Sequence, residues 1–212
     1  MIESGMTLGV GTGSTAALAI EELGIRIKNE GLQVRGVATS FAAERLCRQH
    51  GITLTTLDVE PNLDLAFDGA DEVDPNFTLI KGRGAAQTRE KIVAAQAKSF
   101  VVLVDESKMV EQLGTRMPLP IEVVPMAVTP ILNVLSSMGA TSEIRMGMKK
   151  DGPVVSDQGM WIVDATFNGI VDAAQVNREL LMTPGVVDHG LFLNMATMIL
   201  VGKADGSVNV LT

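Results

Sequence analysis

Short β-rich runs alternate with helical patterning through the first half of this chain, and few folds accommodate that order. "MTLGVG" precedes a helical stretch from Ser14 to Asn29, and "LQVRGVA" precedes one from Phe41 to His50. "LDLAFDG" comes before a third, Gln87 to Lys98, and "SFVVLVDE" follows it. Strand and helix in repetition is the pattern of a mostly parallel sheet with helices on both faces. The expected fold class is therefore α/β, with a Rossmann-like sheet domain whose ligands sit at the carboxyl ends of its strands.

The run "MPLPIEVVPMAVTP" holds four of the eight prolines and marks a boundary. Beyond it the order is strand "IEVVP", helix "PILNVLSSMG", strand "SEIRMG", turn "KKDGP", strand "GMWIVDATF", helix "DAAQVNRELLMTPG" and strand "VVDHGLF". That βαββαβ order predicts a smaller ferredoxin-like domain. The tail "TMILVGKADGSVNVL" alternates around a glycine turn and is expected to return to the first domain as a hairpin. The expected domains are residues 1–117 with 193–212, and 118–192.

Composition limits the function. A 212-residue chain that is 46% hydrophobic can bury a core. Its formal charge of −8 argues against a nucleic-acid binder, which needs a continuous basic surface, so an anionic ligand must meet a local basic pocket. Aromatic residues make up 3% and offer no stacking platform for bases, while the twelve methionines read as flexible core filler. The single cysteine, Cys47, cannot form an internal disulfide and reads as a small core residue, which points to a reducing compartment. "MIESGM" lacks a basic region followed by an apolar one, and no apolar run approaches the ~20 residues of a membrane span. A cytoplasmic protein with no membrane partner is expected.

Four stretches carry chemistry. "LGVGTGSTAALAIEELG" places a glycine-rich turn before a helix with Ala16, Ile20, Leu23 and Ile27 on one face. Ser14 and Thr15 supply hydroxyls and an expected N-cap, and the helix dipole favours an anion. A phosphate cradle and a plain strand-to-helix turn both fit, and the spacing is not that of a P-loop. "LDLAFDGADEVD" ends a strand at Asp68 and turns through Gly69 and Ala70 to Asp71, placing a carboxylate where α/β ligands sit. No calcium-loop pattern is present, a Mg²⁺ site from Asp68, Asp71 and Glu72 is the lesser reading, and Glu72 and Asp74 are expected to be solvated.

"LIKGRGAAQTREK" leads from a lysine through a second glycine turn into a helix. At the helical period Glu90 falls among Ala86, Val93, Ala94 and Ala97, while Arg89 and Lys91 point elsewhere and are expected to be solvated or structural. An acid on that small apolar face is costly unless paired or used, so a functional group and a buried ion pair both stand. "VDESKMVEQLG" sets Lys108 just past a strand, which by itself describes an exposed loop lysine. His50 and His189 lie far apart with no metal-ligating or triad context, so acid and base work falls to carboxylates and lysines.

In this order, "GTGST", "DGADE", "KGRGAAQTREK" and "DESK", followed by "PLPIEVVPMA", resemble type A ribose-5-phosphate isomerase from about Leu8 to the C-terminus. The resemblance implies a sheet domain with a smaller α/β domain, no metal or organic cofactor, and a homodimer or homotetramer. It implies interconversion of ribose 5-phosphate and ribulose 5-phosphate. The family's substrate loops match Thr12, Gly13, Ser14 and Thr15; Asp68, Gly69, Ala70 and Asp71; Lys81, Gly82, Arg83 and Gly84; and Lys108. Its catalytic base matches Glu90. The family usually has an N-terminal helix, often with a lysine near the substrate phosphate, where only a few residues precede "GVGTGST" here. Arg83 stands where many members have glycine.

Moving a proton between C2 and C1 through an enediolate needs one carboxylate that reaches both carbons and positive charge near both oxygens. The expected roles are Glu90 as shuttle, Lys81 as enediolate stabiliser, Asp68 as ring-opening acid/base or proton relay, and Asp71 as a hydroxyl holder. The non-enzymatic rival is a sugar-phosphate sensor on a related scaffold.

Overall fold

The computed structural model describes residues 1–212. In chain order it begins with β1 (Thr7–Val10), α1 (Ser14–Glu30), β2 (Arg35–Ala38), α2 (Phe41–Gln49), β3 (Thr53–Leu54) and β4 (Leu65–Gly69). Two short strands follow, β5 (Glu72–Val73) and β6 (Leu79–Ile80), then α3 (Gln87–Ala95) and β7 (Phe100–Asp105). The next elements are β8 (Leu119–Val123), α4 (Val128–Ser137), β9 (Thr141–Ile144), β10 (Trp161–Thr166) and α5 (Ala173–Leu181). Last come β11 (Val186–His189), β12 (Leu191–Phe192), β13 (Met198–Gly202) and β14 (Val208–Leu211).

The chain divides into two compact units. The first comprises Met1–Gly69, Arg89–Ser107 and Met195–Thr212. Its seven-stranded sheet has the order β14-β13-β7-β4-β1-β2-β3, parallel throughout except for β14, which turns back on β13. β1 is buried along its whole length, Thr7 included, as a strand covered on both faces must be. Leu8, Val10, Ile20, Leu23, Cys47, Phe67 and Val101 share its core. In α1, Ala16, Ile20 and Leu23 are buried as the periodicity requires and Ile27 is half-buried; Gly31 ends the helix in the left-handed region at φ 68°.

The second unit comprises Ala70–Thr88 and Lys108–Asn194. Its antiparallel sheet has the order β11-β8-β10-β9, the ferredoxin-like arrangement, with α4 and α5 laid on one face. Leu119, Ile121, Val123, Ile131, Leu135 and Leu180 are fully inaccessible in that core, so truncating Ile131 or Leu135 to alanine should cost about 2–5 kcal/mol. A second sheet, β12-β6-β5, completes the unit.

Three expectations change. β3, β5 and β6 were not anticipated, and pairing of β5 and β6 with β12 draws residues 70–88 into the unit that was expected to begin at 118. "VVDHGLF" is two strands in two sheets, broken at Gly190. There the Lys81 N–H donates to the Gly190 carbonyl at 2.9 Å, and a Cβ at Gly190 would lie 2.1 Å from the Lys81 carbonyl oxygen, so only glycine fits. The third helix stops at Ala95, where Leu63 and Ala97 form a bridge. No helix is long and apolar enough to cross a membrane.

Candidate active site

In the first unit the strand order runs outward in opposite directions from β1 and β4, which are neighbours. The carboxyl ends of two such strands frame the crevice where α/β sheets bind ligands. Gly11 to Thr15 leave β1 there, and Asp68 and Gly69 end β4. Asp68, 3% exposed, accepts the Thr12 N–H at 3.0 Å and the Gly69 N–H at 2.8 Å on Oδ1. Thr12 Oγ1 meets Thr39 Oγ1 and Ser40 Oγ, each at 2.7 Å, so this hydroxyl braces the loop. Thr15 Cβ is 3.8 Å from where a Cβ on Gly69 would sit, bringing the first loop against the end of β4.

Gly13, Ser14 and Thr15 are exposed. The N-cap of α1 is Gly13, at φ 109° and with no side-chain cap; Ser14, the expected cap, is instead the first helical residue. Glycine is used because the chain must take a positive φ at the point where it enters the helix. The amides of the first turn are thereby open to an anion, supported by the helix dipole.

Glu90 lies on α3 and is 5% exposed, and Val93 and Ala94 of the same helix are 4% and 5% exposed. Arg89 and Lys91 flank it half-buried, while Gln96 and Lys98 are exposed. Cys47 is free and buried, and burial, assisted by Glu44, pushes its thiol up to about 11.

In the second unit Asp71 and the Gly82–Gly84 loop are held together. The Asp71 N–H donates to the Ile80 carbonyl at 2.8 Å, and Asp71 Oδ2 accepts the Arg83 N–H at 3.0 Å. Lys81 is 3% exposed, with its ammonium 5.5 Å from the centroid of the Phe192 ring, within cation–π range. Gly82 adopts φ 111° and Ala85 φ 57°, and the loop closes through the Ala85 N–H to the Gly82 carbonyl at 3.0 Å. Ala70 is half-buried, Arg83 and Gly84 are exposed, and Lys108 is half-buried in a short 3₁₀ turn.

Two residues of this unit were not anticipated in these roles. Arg145 donates from Nη1 to the carbonyls of both Gly82 and Arg83 at 3.0 Å, and forks onto Asp164 through Nε at 2.7 Å and Nη2 at 2.5 Å. It clamps the loop that follows Lys81. The only hint in the sequence was Asp164, an acid inside the apolar strand "WIVDATF". Glu72, expected in solvent, is fully buried and accepts the backbone N–H groups of Gly114, Arg116 and Met117 at 2.6, 2.7 and 2.8 Å. With both its oxygens so committed, it does not serve the Mg²⁺ site considered above, and no group of three His, Cys, Asp or Glu side chains is placed to hold a metal. Asp74 is half-buried and organises its own turn by accepting from Asn76 and Thr78.

The family model of ribose 5-phosphate isomerase A (phosphoriboisomerase A) matches residues 35–206. Ribose-5-phosphate isomerase A of Thermosynechococcus vestitus is 51% identical over 211 residues, covering 99% of this chain and 89% of the relative. Ribose 5-phosphate isomerase A of Methanocaldococcus jannaschii superposes with a TM-score of 0.95 at 48% identity, covering 100% of this chain and 93% of the other. A D-ribose-5-phosphate isomerase in complex with phospho-erythronic acid gives a TM-score of 0.97 at 47% identity, covering 100% and 92%. With a family model across most of its length and relatives of this identity, the chain belongs to the ribose 5-phosphate isomerase A family.

Proposed function

We propose that this protein interconverts D-ribose 5-phosphate and D-ribulose 5-phosphate, with Glu90 carrying the proton between C2 and C1. The observation that supports this most directly is a carboxylate only 5% exposed on a helix face with Val93 and Ala94, in a chain of the isomerase family. Such an acid is expensive to keep unless it is used or paired.

In the forward direction the Glu90 carboxylate takes the C2 proton of the open-chain aldose while O1 gains a proton, giving the enediol. Glu90 then returns the proton to C1 as the O2 hydroxyl gives up its own, leaving the ketone, so every proton is accounted for. Lys81 offsets the negative charge that develops on the oxygens, and the Phe192 ring steers its ammonium. Asp68, fixed by two amides, opens the sugar ring or relays protons between oxygens. Asp71 and the Gly82–Gly84 loop hold hydroxyls, assisted by Gly69 and Ala70. The open first turn of α1, with Thr12, Gly13, Ser14 and Thr15, receives an anionic end of the substrate, and Lys108 adds positive charge.

The relative solved with phospho-erythronic acid fits this chemistry. A sugar acid presents a planar carboxylate where an enediolate would present its two oxygens, and the same ligand is expected to compete here. A homodimer or homotetramer in the cytoplasm completes the proposal, and the buried free thiol of Cys47 suits a reducing compartment.

The test is incubation with ribose 5-phosphate in D₂O, followed by NMR. Deuterium at a carbon-bound position together with new ribulose 5-phosphate supports isomerisation, whereas binding without exchange would leave a sensor.

A further inference from the structure

β8 presents two kinds of surface. Leu119, Ile121 and Val123 point into the core shared with α4 and α5, and alternation puts Glu122 on the opposite face, where it too is 0% exposed. A carboxyl group buried so completely is costly unless its oxygens are hydrogen bonded. Glu122 accepts from Thr88 Oγ1 and Ser156 Oγ, and from Gln158 Nε2 at 3.3 and 3.4 Å. Ser156 and Gln158 belong to the turn that leads into β10, whereas Thr88 is the second residue of α3.

The backbone leading into α3 is irregular, with Gly82 at φ 111° and Ala85 at φ 57°, and the helix is packed through Val93 against Val37 and Leu63 beyond its first turn. A buried hydrogen bond from Thr88 to Glu122 pins its first turn as well. Glu90 lies two residues further along the same helix, so any rotation or slide at Thr88 is carried to its carboxylate. We infer that Glu122 is a positioning residue, which acts through Thr88 to fix the first turn of α3 and with it Glu90. The inference rests on the proposed role of Glu90. It also gives a task to the acid in "PLPIEVVPMA", which the isomerisation chemistry itself leaves unused.

Steady-state kinetics of four variants test it. Because misplacement by ~1 Å can cost ~10²-fold in rate, Thr88→Val should lower kcat by about 10- to 100-fold, with KM for ribose 5-phosphate changed less than about threefold. Thr88→Ser, which keeps the hydroxyl, should recover most of the loss. Ser156→Ala removes a donor to the same carboxyl without touching α3, and should lower the melting temperature but hold kcat within about twofold. A folded Thr88→Val enzyme with normal kcat overturns the inference, as does a Ser156→Ala loss in kcat equal to that of Thr88→Val. Glu90→Gln separates the two levels: near-normal turnover in that variant sinks the proton-shuttle reading itself, whereas an inactive Glu90→Gln beside a normal Thr88→Val sinks only the positioning role.

Discussion

A methyl group at position 11 has nowhere to go. A Cβ on Gly11 would lie 2.3 Å from Asp68 Cγ and 2.5 Å from the Phe67 carbonyl oxygen. Gly11→Ala should therefore push Asp68 out of place, costing about 1–3 kcal/mol of stability in a thermal melt and lowering kcat/KM. Cys47 shows the same tightness in its chemistry. With its thiol pushed from the usual 9.0 up to about 11, first by burial and then by Glu44, it stays protonated in the folded protein at pH 8. Since the unfolded thiol ionises first, stability from this group should fade as pH rises from about 9 towards 11. A thiol reagent at pH 8 should find no reactive group in the native protein and a single one after denaturation.

Among the elements, the buried Glu72 carboxyl is the anchor that sequence patterning could not reveal. Glu72→Ala strands three backbone amides and should destabilise the protein by at least about 3 kcal/mol, measured by denaturant unfolding, because each buried donor left unmade costs about 1–3 kcal/mol. Strands and helices of four or more residues in the parallel sheet were legible because their signals are local: apolar runs, glycine turns and a 3.6-residue period. β3, β5 and β6 were not, since a two-residue strand cannot display a period of two. Arg145 and Glu72 were hidden for a further reason. Their partners lie 62 and 63, or 42 to 45, residues away, and a charged side chain carries no mark of the carbonyl or amide it will meet. Asp68 and Glu90 stood out because each interrupts an apolar pattern, at a strand end and on a helix face.

Over the whole molecule, charge and chemistry pull in opposite directions. The chain carries a formal charge of −8, yet its proposed substrate is an anion. If the proposed site holds, Lys81, Arg83 and Lys108 supply a local positive well, and kcat/KM should fall as ionic strength rises through the range in which the Debye length shrinks from ~30 to ~10 Å. A kcat/KM independent of salt would remove the well from the account. The central claim, that one buried carboxylate moves the substrate proton, is tested most directly by the turnover of Glu90→Gln measured beside its affinity for ribose 5-phosphate. With Glu90 as the proton shuttle, the variant should be a folded protein that binds the sugar phosphate within about threefold of wild type while kcat falls by at least about 10²-fold, the scale of general acid–base catalysis. Turnover within a few-fold of wild type would contradict it.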